Sequence, residues 1–137
     1  MLTNTVVQEI LDLHRLFEGW LGGTWPATPE TFARAGAALA PGFTQIDPEG
    51  RWQQREPLLA KLDAAHGVYR SADHPFVIEI RNAAVRLTAG ETIVATYEEH
   101  QRIRGAWSAR ISTAVFQPHA PAPLGIGWMH LQETWMR

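Results

Sequence analysis

The chain has no cysteine. Disulfides, thiolate metal sites and a cysteine nucleophile are excluded, although the compartment is left open. It has no marked excess of either charge. Twelve Lys and Arg stand against 14 Asp and Glu, a formal net charge of −2, and the basic residues are scattered. That balance offers no nucleic-acid footprint. No apolar run approaches membrane-spanning length. The opening stretch, MLTNTVVQEILDLH, lacks a basic leader and is interrupted by Glu9 and Asp12. Neither a signal peptide nor a membrane segment is expected, and the location is read as cytoplasmic. The sequence also lacks HExxH, GxSxG and a phosphate loop, and GIGW (Gly125 to Trp128) has no third glycine and leads into a strand. The six histidines, at 14, 66, 74, 100, 119 and 130, are dispersed. No metal and no cofactor are therefore expected.

What is present fits one domain spanning 1–137. Apolar residues make up 45% and charged residues 19%, enough to bury a core. Tryptophan is over-represented, with six at 20, 25, 52, 107, 128 and 135. Such large anchors serve cores, pockets and interfaces alike. Core packing is the default for most, with Trp20, Trp25 and Trp52 as alternatives for a pocket mouth.

The first half has helical period. Val6, Ile10, Leu13, Phe17 and Trp20 form one apolar stripe over Thr5 to Trp20, Thr5 and Gln8 have capping-box spacing, and Gly22-Gly23 ends the helix. His14 and Glu18 read as a surface pair one turn apart. Thr28-Pro29-Glu30 opens a second helix, with Phe32, Ala35 and Leu39 on its buried side and Pro41-Gly42 as its stop. A short strand over Phe43 to Asp47 and a turn at Asp47-Pro48-Glu49-Gly50 precede a third helix from Arg55 to His66, with Gly67 at its end.

The second half alternates. Phe76, Ile78 and Ile80 should face inward and Glu79 and Arg81 outward. Asn82-Ala83-Ala84 reads as a bulge before Val85 to Leu87. Strands follow at Thr92 to Ile103, Trp107 to Gln117 and Ile126 to Met136, the last two joined by the proline-rich Pro118 to Gly125. Tight turns between most of them predict an antiparallel meander. Helices followed by a curled sheet are an α+β plan, with the helices covering one sheet face.

Register carries this to chemistry. An even-length hairpin around Arg104-Gly105 sets Glu99 opposite Arg110, Tyr97 opposite Ser112 and Ala95 opposite Ala114. The alternate face holds Val94, Thr96, Glu98 and His100 against Val115, Thr113, Ile111 and Ala109. This second face is mostly β-branched, and is read as the inner one. Tyr97, Glu99 and Arg110 then form an outer ladder. On the last strand, Met129, Leu131, Glu133 and Trp135 are expected inside, and Trp128, His130, Gln132 and Thr134 outside. The inner face would carry three polar exceptions, Glu98, His100 and Glu133. Ionisable groups on an apolar wall have the environment of a general acid or base, so these three are the expected catalytic residues. Trp135, Thr96, Thr113, Leu131 and Trp52 are the expected ligand contacts. The plain alternative is a set paired at the rim without chemistry.

The element order, with TYEEHQ (Thr96 to Gln101), RISTAVFQ (Arg110 to Gln117) and GWMHLQETW (Gly127 to Trp135) after a helical half ending LLAKLDAAHG, resembles the nuclear-transport-factor-2-like superfamily over nearly the whole chain. It is similar to a branch near the SnoaL-like and ketosteroid-isomerase-like members. The resemblance implies three N-terminal helices on a strongly curved, mostly antiparallel sheet, a cone-like (cystatin-like) α+β barrel with a pocket in its concave face. It implies a homodimer through the outer sheet face, where Trp128, Tyr97 and Phe116 are expected. The implied function is binding of a small hydrophobic molecule, with cofactor-independent isomerase, cyclase or hydrolase activity; the alternative is a non-catalytic ligand-binding or dimerisation module. Isomerase relatives use aspartates and a tyrosine, whereas the strand acids here are glutamates. Epoxide-hydrolase relatives use an acid–Arg–acid arrangement. Glu99, Arg110 and another acid would imitate it if they faced the pocket.

Overall fold

A computed structural model describes residues 2–137. Helix α1 spans Leu2–Leu21, α2 Pro29–Ala38 and α3 Arg55–Asp63, and the strands are β1 Leu39–Ile46, β2 Trp52–Gln54, β3 Val77–Ala89, β4 Thr92–Ile103, β5 Ala106–Pro118 and β6 Ile126–Trp135. All six strands join one sheet in the order β2-β1-β6-β5-β4-β3. Three helices lie on this strongly curled sheet, so the expected α+β cone is the observed architecture.

Helix α1 starts three residues before Thr5, so the Thr5–Gln8 spacing lies inside the helix and marks no boundary. Its buried side is wider than the expected stripe and includes Glu9, His14, Leu16 and Gly19. Gly19 is required there, because a Cβ would stand 2.3 Å from the Trp25 ring. Thr28 caps α2 as expected, its hydroxyl accepting from the Thr31 amide at 3.2 Å. Pro41-Gly42 does not stop α2. The chain passes directly into β1 at Leu39, and the proline and glycine occupy an irregular stretch of that strand, with Gly42 at φ 80°. Arg55 finishes the α2 terminus instead, donating to the carbonyls of Gly36 and Leu39 at 2.7 and 2.9 Å. Strand β2, three residues long, escapes the sequence pattern, and α3 ends at Asp63, before Gly67.

The meander β3–β4–β5–β6 is antiparallel, but β1 runs parallel to β6, which makes the sheet mixed. The pairing Glu99–Arg110, Tyr97–Ser112 and Ala95–Ala114 is as expected, through the two-residue turn at Arg104-Gly105. The faces are the reverse of those expected. Ile93, Ala95 and Tyr97 are buried with Ala114, Ser112 and Phe116 beneath the helices, so Glu99 and Arg110 face inward, and Glu98 and His100 outward. Both faces are rich in strand-forming apolar residues, so hydrophobicity alone does not separate them. On β6 a register shift at Met129 puts Trp128 opposite Phe116 and His130 opposite Val115. The bulge turns Trp128 inward, where it is 1% exposed, while Leu131, Glu133 and Trp135 remain on the inner side and His130 and Gln132 on the outer. Tyr97, Phe116 and Trp128, expected at an outer interface, are all core residues.

Trp128 is held by a buried acid. Its indole N–H donates to Glu9 at 3.0 Å, and the same fully buried carboxylate accepts two bonds from Arg34, at 2.8 and 3.1 Å. This joins α1, α2 and β6. A buried carboxylate without such partners would be strongly unfavourable.

Candidate functional site

Between the helices and the concave face lies a cavity of about 370 Å³. Leu13, Phe17 and Leu21 of α1, Phe43 of β1, Leu58 and Leu62 of α3, and Ile78, Trp128 and Leu131 of the sheet side make its apolar wall. Its size is at the lower end of small-molecule sites, which run from roughly 300 to 1,000 Å³.

One side of this wall is polar. His14 is brought there by the helical period of α1. Its Nδ1 lies 2.7 Å from the Ile10 carbonyl, which can only accept, so Nδ1 carries a proton. Its Nε2 lies 3.2 Å from Glu99 Oε1. Burial by itself would lower the His14 pKa, but the charge and hydrogen bond of Glu99 raise it above the ordinary value. Burial by itself would raise Glu99, but His14, Arg110 and Gln101 bring it down to about 2. With an acceptor at each ring nitrogen, the geometry is that of an imidazolium–carboxylate pair. Gln101, two residues along β4, donates to the other oxygen of Glu99. Both oxygens of Glu99 are engaged.

Glu133 is held differently. Gln45 of β1 donates to Oε1 at 2.6 Å, and Arg110 of β5 to the same atom at 3.2 Å. Oε2 receives no hydrogen bond among the described residues. Burial, aided by the nearby Glu99 charge, raises the Glu133 pKa against the pull of Arg110, Gln45 and His14. Two carboxylates thus flank Arg110 with their pKa values moved in opposite directions. Such a split is the electrostatic condition under which chemically similar groups can take separate roles. Arg110 also lies over the Trp135 ring at 4.8 Å.

The mouth is built by the β1–β2 turn. Asp47 accepts from the amides of Glu49 and Arg51 and from the Arg51 side chain, each at 2.9 Å. Glu49 in turn accepts from the Trp135 indole at 2.7 Å, tying the turn to the end of β6. Behind the polar side, the hydroxyls of Tyr97 and Ser112 are buried side by side, on residues paired across β4 and β5. Burial and the two glutamates push the Tyr97 pKa well above its usual range.

Of the expected catalytic residues, only Glu133 lines the cavity. Glu98 and His100 point the other way and pair with each other at 2.9 Å, Asn82 donating to the second oxygen of Glu98 at 2.7 Å. His100 borders only a shallow recess on the outer face, with Trp107 and Arg137. Of the expected contacts, Trp135 and Leu131 line the cavity. Thr96 and Thr113 face outward with Glu98's side of the sheet, Thr96 accepting from Arg86 at 2.7 Å. Trp52 is 69% exposed, beside His130 on the outer face. His14, Gln45 and Gln101 were not expected here, and Glu99 and Arg110, expected outside, take the inward position on which the acid–Arg–acid alternative depended. His14 is no surface residue, and Glu18 accepts from the Ile78 amide rather than pairing with it. No group of His, Asp and Glu suited to holding a metal ion occurs among the described residues.

No protein-family model and no curated protein matches the sequence. Solved structures do. A nuclear-transport-factor-2-like protein of unknown function from Pseudomonas aeruginosa superposes with a TM-score of 0.83 at 22% identity, over 97% of this chain and 99% of that one. The CaMKII hub of S. rosetta superposes at 0.71 and 13% identity, over 98% and 96%. A candidate ketosteroid isomerase from Shewanella frigidimarina superposes at 0.67 and 13%, over 95% and 94%. The chain has the fold of the nuclear-transport-factor-2-like proteins, as its resemblance implied. At these identities the likeness is one of fold.

Proposed function

We propose that the cone binds a small, mostly apolar molecule in its cavity and that Glu133 transfers a proton at the molecule's polar end, without a cofactor. The carrying observation is the asymmetry of Glu133. Both of its hydrogen bonds converge on Oε1, its Oε2 accepts none among the described residues, the residue lines the cavity, and burial raises its pKa above the ordinary value, toward the range useful for a general acid or base. Glu99, saturated by His14 and Gln101, is the fixed charge rather than the proton carrier. Glu99, Arg110 and Glu133 make an acid–Arg–acid set, which favours a hydrolase-like reaction over the isomerase and cyclase readings: Arg110 stabilises developing oxyanion charge while Glu133 handles the proton. The test is a screen of small neutral epoxides and esters, followed by Glu133→Gln on any substrate found. Turnover should fall by about 10²–10⁴-fold with binding retained. Unchanged turnover removes the assignment, and no ligand across the screen removes the site reading.

The second reading is an assembly module. The likeness to the hub domain favours it, as does the outer face, where Leu87, Trp107 and Ile111 are each about half exposed. On this reading two copies pair through the outer sheet face. The two readings are compatible, since the cavity opens on the opposite face.

A further inference from the structure

The charges lining the cavity are balanced only while Glu133 is ionised. Four cationic side chains line it, His14, Arg51, Lys61 and Arg110, against Asp47, Glu49, Glu99 and Glu133. Three pairs are made: Arg51–Asp47, His14–Glu99 and Arg110–Glu133. Lys61 at the mouth has no ion pair among the described residues. A proton on Glu133 takes away the carboxylate that Arg110 is hydrogen-bonded to and leaves it only the charge of Glu99, which is shared with His14 and Gln101. A guanidinium in a partly buried wall then needs an anion.

On the site reading above, we propose that the cavity takes up a small amphipathic carboxylate together with one proton: the ligand's carboxylate replaces Glu133 on Arg110, Glu133 keeps the proton, and the apolar tail lies against Leu13, Phe17 and Leu131. The proton comes from solvent, and no bond other than O–H is formed. A neutral ligand leaves the Arg110–Glu133 pair intact and reaches only Oε2. A cationic ligand meets Arg110 and the His14 imidazolium. The groups lining the cavity with Glu133 are His14 from α1, Lys61 from α3, Gln45 with Asp47, Glu49 and Arg51 from β1 and its turn, Glu99 and Gln101 from β4, and Arg110 from β5. Among the other carboxylates, Asp47 and Glu99 are held below the ordinary range by their partners, and Glu49 accepts from the Trp135 indole. His14 is the remaining candidate proton acceptor. It is already engaged through both ring nitrogens by acceptors and so already doubly protonated.

Calorimetric titration with hexanoate, in buffers of differing ionisation enthalpy, tests this. Above the folded-state pKa of Glu133, about one proton should be taken up per hexanoate, and Kd should rise about tenfold per pH unit. Hexanamide should bind more weakly and take up none. Glu133→Gln should bind hexanoate with no proton uptake and a flat pH dependence. Hexanoate binding without proton uptake, equal binding of hexanamide, or uptake that persists in the variant overturns the proposal. So does the absence of hexanoate binding. The wild-type titration decides even where the variant fails to fold. If neutral ligands from the screen bind and turn over while hexanoate fails, the site reading stands and only the carboxylate falls.

Discussion

His14 has an acceptor at each ring nitrogen, and this sets both its charge and the consequence of losing it. Replacing His14 by Ala leaves Glu99 buried without its ion-pair partner, with only Gln101 and the charge of Arg110 to hold it, which should cost about 3 kcal/mol in chemical denaturation at neutral pH. The pH profile follows from the directions of the shifts. Glu99, at about 2 in the folded state against an ordinary 4.5, contributes stability that is present above 4.5 and lost as pH falls toward 2. His14, raised above 6.5, contributes below 6.5 and loses that contribution as pH rises through its folded value. Glu133, raised above 4.5, also contributes most at low pH and loses that contribution as pH rises. Glu133→Gln should therefore flatten the fall in stability that sets in as pH rises above 4.5, and His14→Ala should remove most of the acid-side loss assigned to Glu99. Melting curves taken across pH check both. At this scale the sequence made Glu133, Leu131 and Trp135 readable, because alternation on β6 beyond its bulge is regular. His14 was not readable as a site residue, because a buried ion pair between a helix and a strand leaves no local pattern, and Glu99 and Arg110 were paired correctly but set on the wrong face.

The reversed faces of β4 and β5 come from element geometry. The sequence shows one bulge in β3, at Asn82 to Ala84. The strand has a second register shift between Val85 and Leu87. Counting back from the Ala89–Thr92 pair, one bulge sets Ile80 opposite His100, and two set it opposite Glu99, as observed. Each inserted residue moves the partner strand's side chains to the other face. Ile78 and Ile80 were read correctly as inward, so their true partners, Gln101 and Glu99, follow only once both bulges are counted. The β4–β5 hairpin carries a testable strain. Arg104 has φ 50° and Gly105 φ 81°, the pair of positive angles of a type I′ turn. An arginine is poorly suited to the first position, where Asn or Gly is preferred. Arg104→Asn should stabilise the fold by about 0.5–1 kcal/mol, read as a higher denaturation midpoint with an unchanged slope. No gain would mean that the arginine's own contacts, including its reach toward the Val68 carbonyl, offset the strain.

At the scale of the molecule, helices over a curved sheet were legible from the change of period at mid-chain. The parallel pairing of β1 with β6 was not, because it joins residues more than 80 positions apart with no turn to announce it. That pairing brings Gln45 to Glu133 and the β1–β2 turn to the cavity mouth, so it completes the site. The outer face carries the assembly prediction. If two copies pair there, Ile111→Lys should convert dimer to monomer in sedimentation while leaving the melting profile of the monomer fold intact, since Ile111 is 46% exposed and makes no core contact of its own cluster. A wild-type mass equal to the monomer at all concentrations would end the dimer reading.

The tie between Trp135 and Glu49 gives the protein an optical reporter. Trp128 is sealed in the core with its indole on Glu9, while Trp135 is partly exposed, stacked under Arg110 and bonded across the mouth. A guest that pulls Arg110 away changes the charge above one indole ring and leaves the other five in their surroundings. Emission from Trp135 should then shift on occupancy, and the shift should vanish in Trp135→Phe. Filling of the cavity can be followed by eye of the fluorimeter in real time, with no label and no knowledge of the reaction.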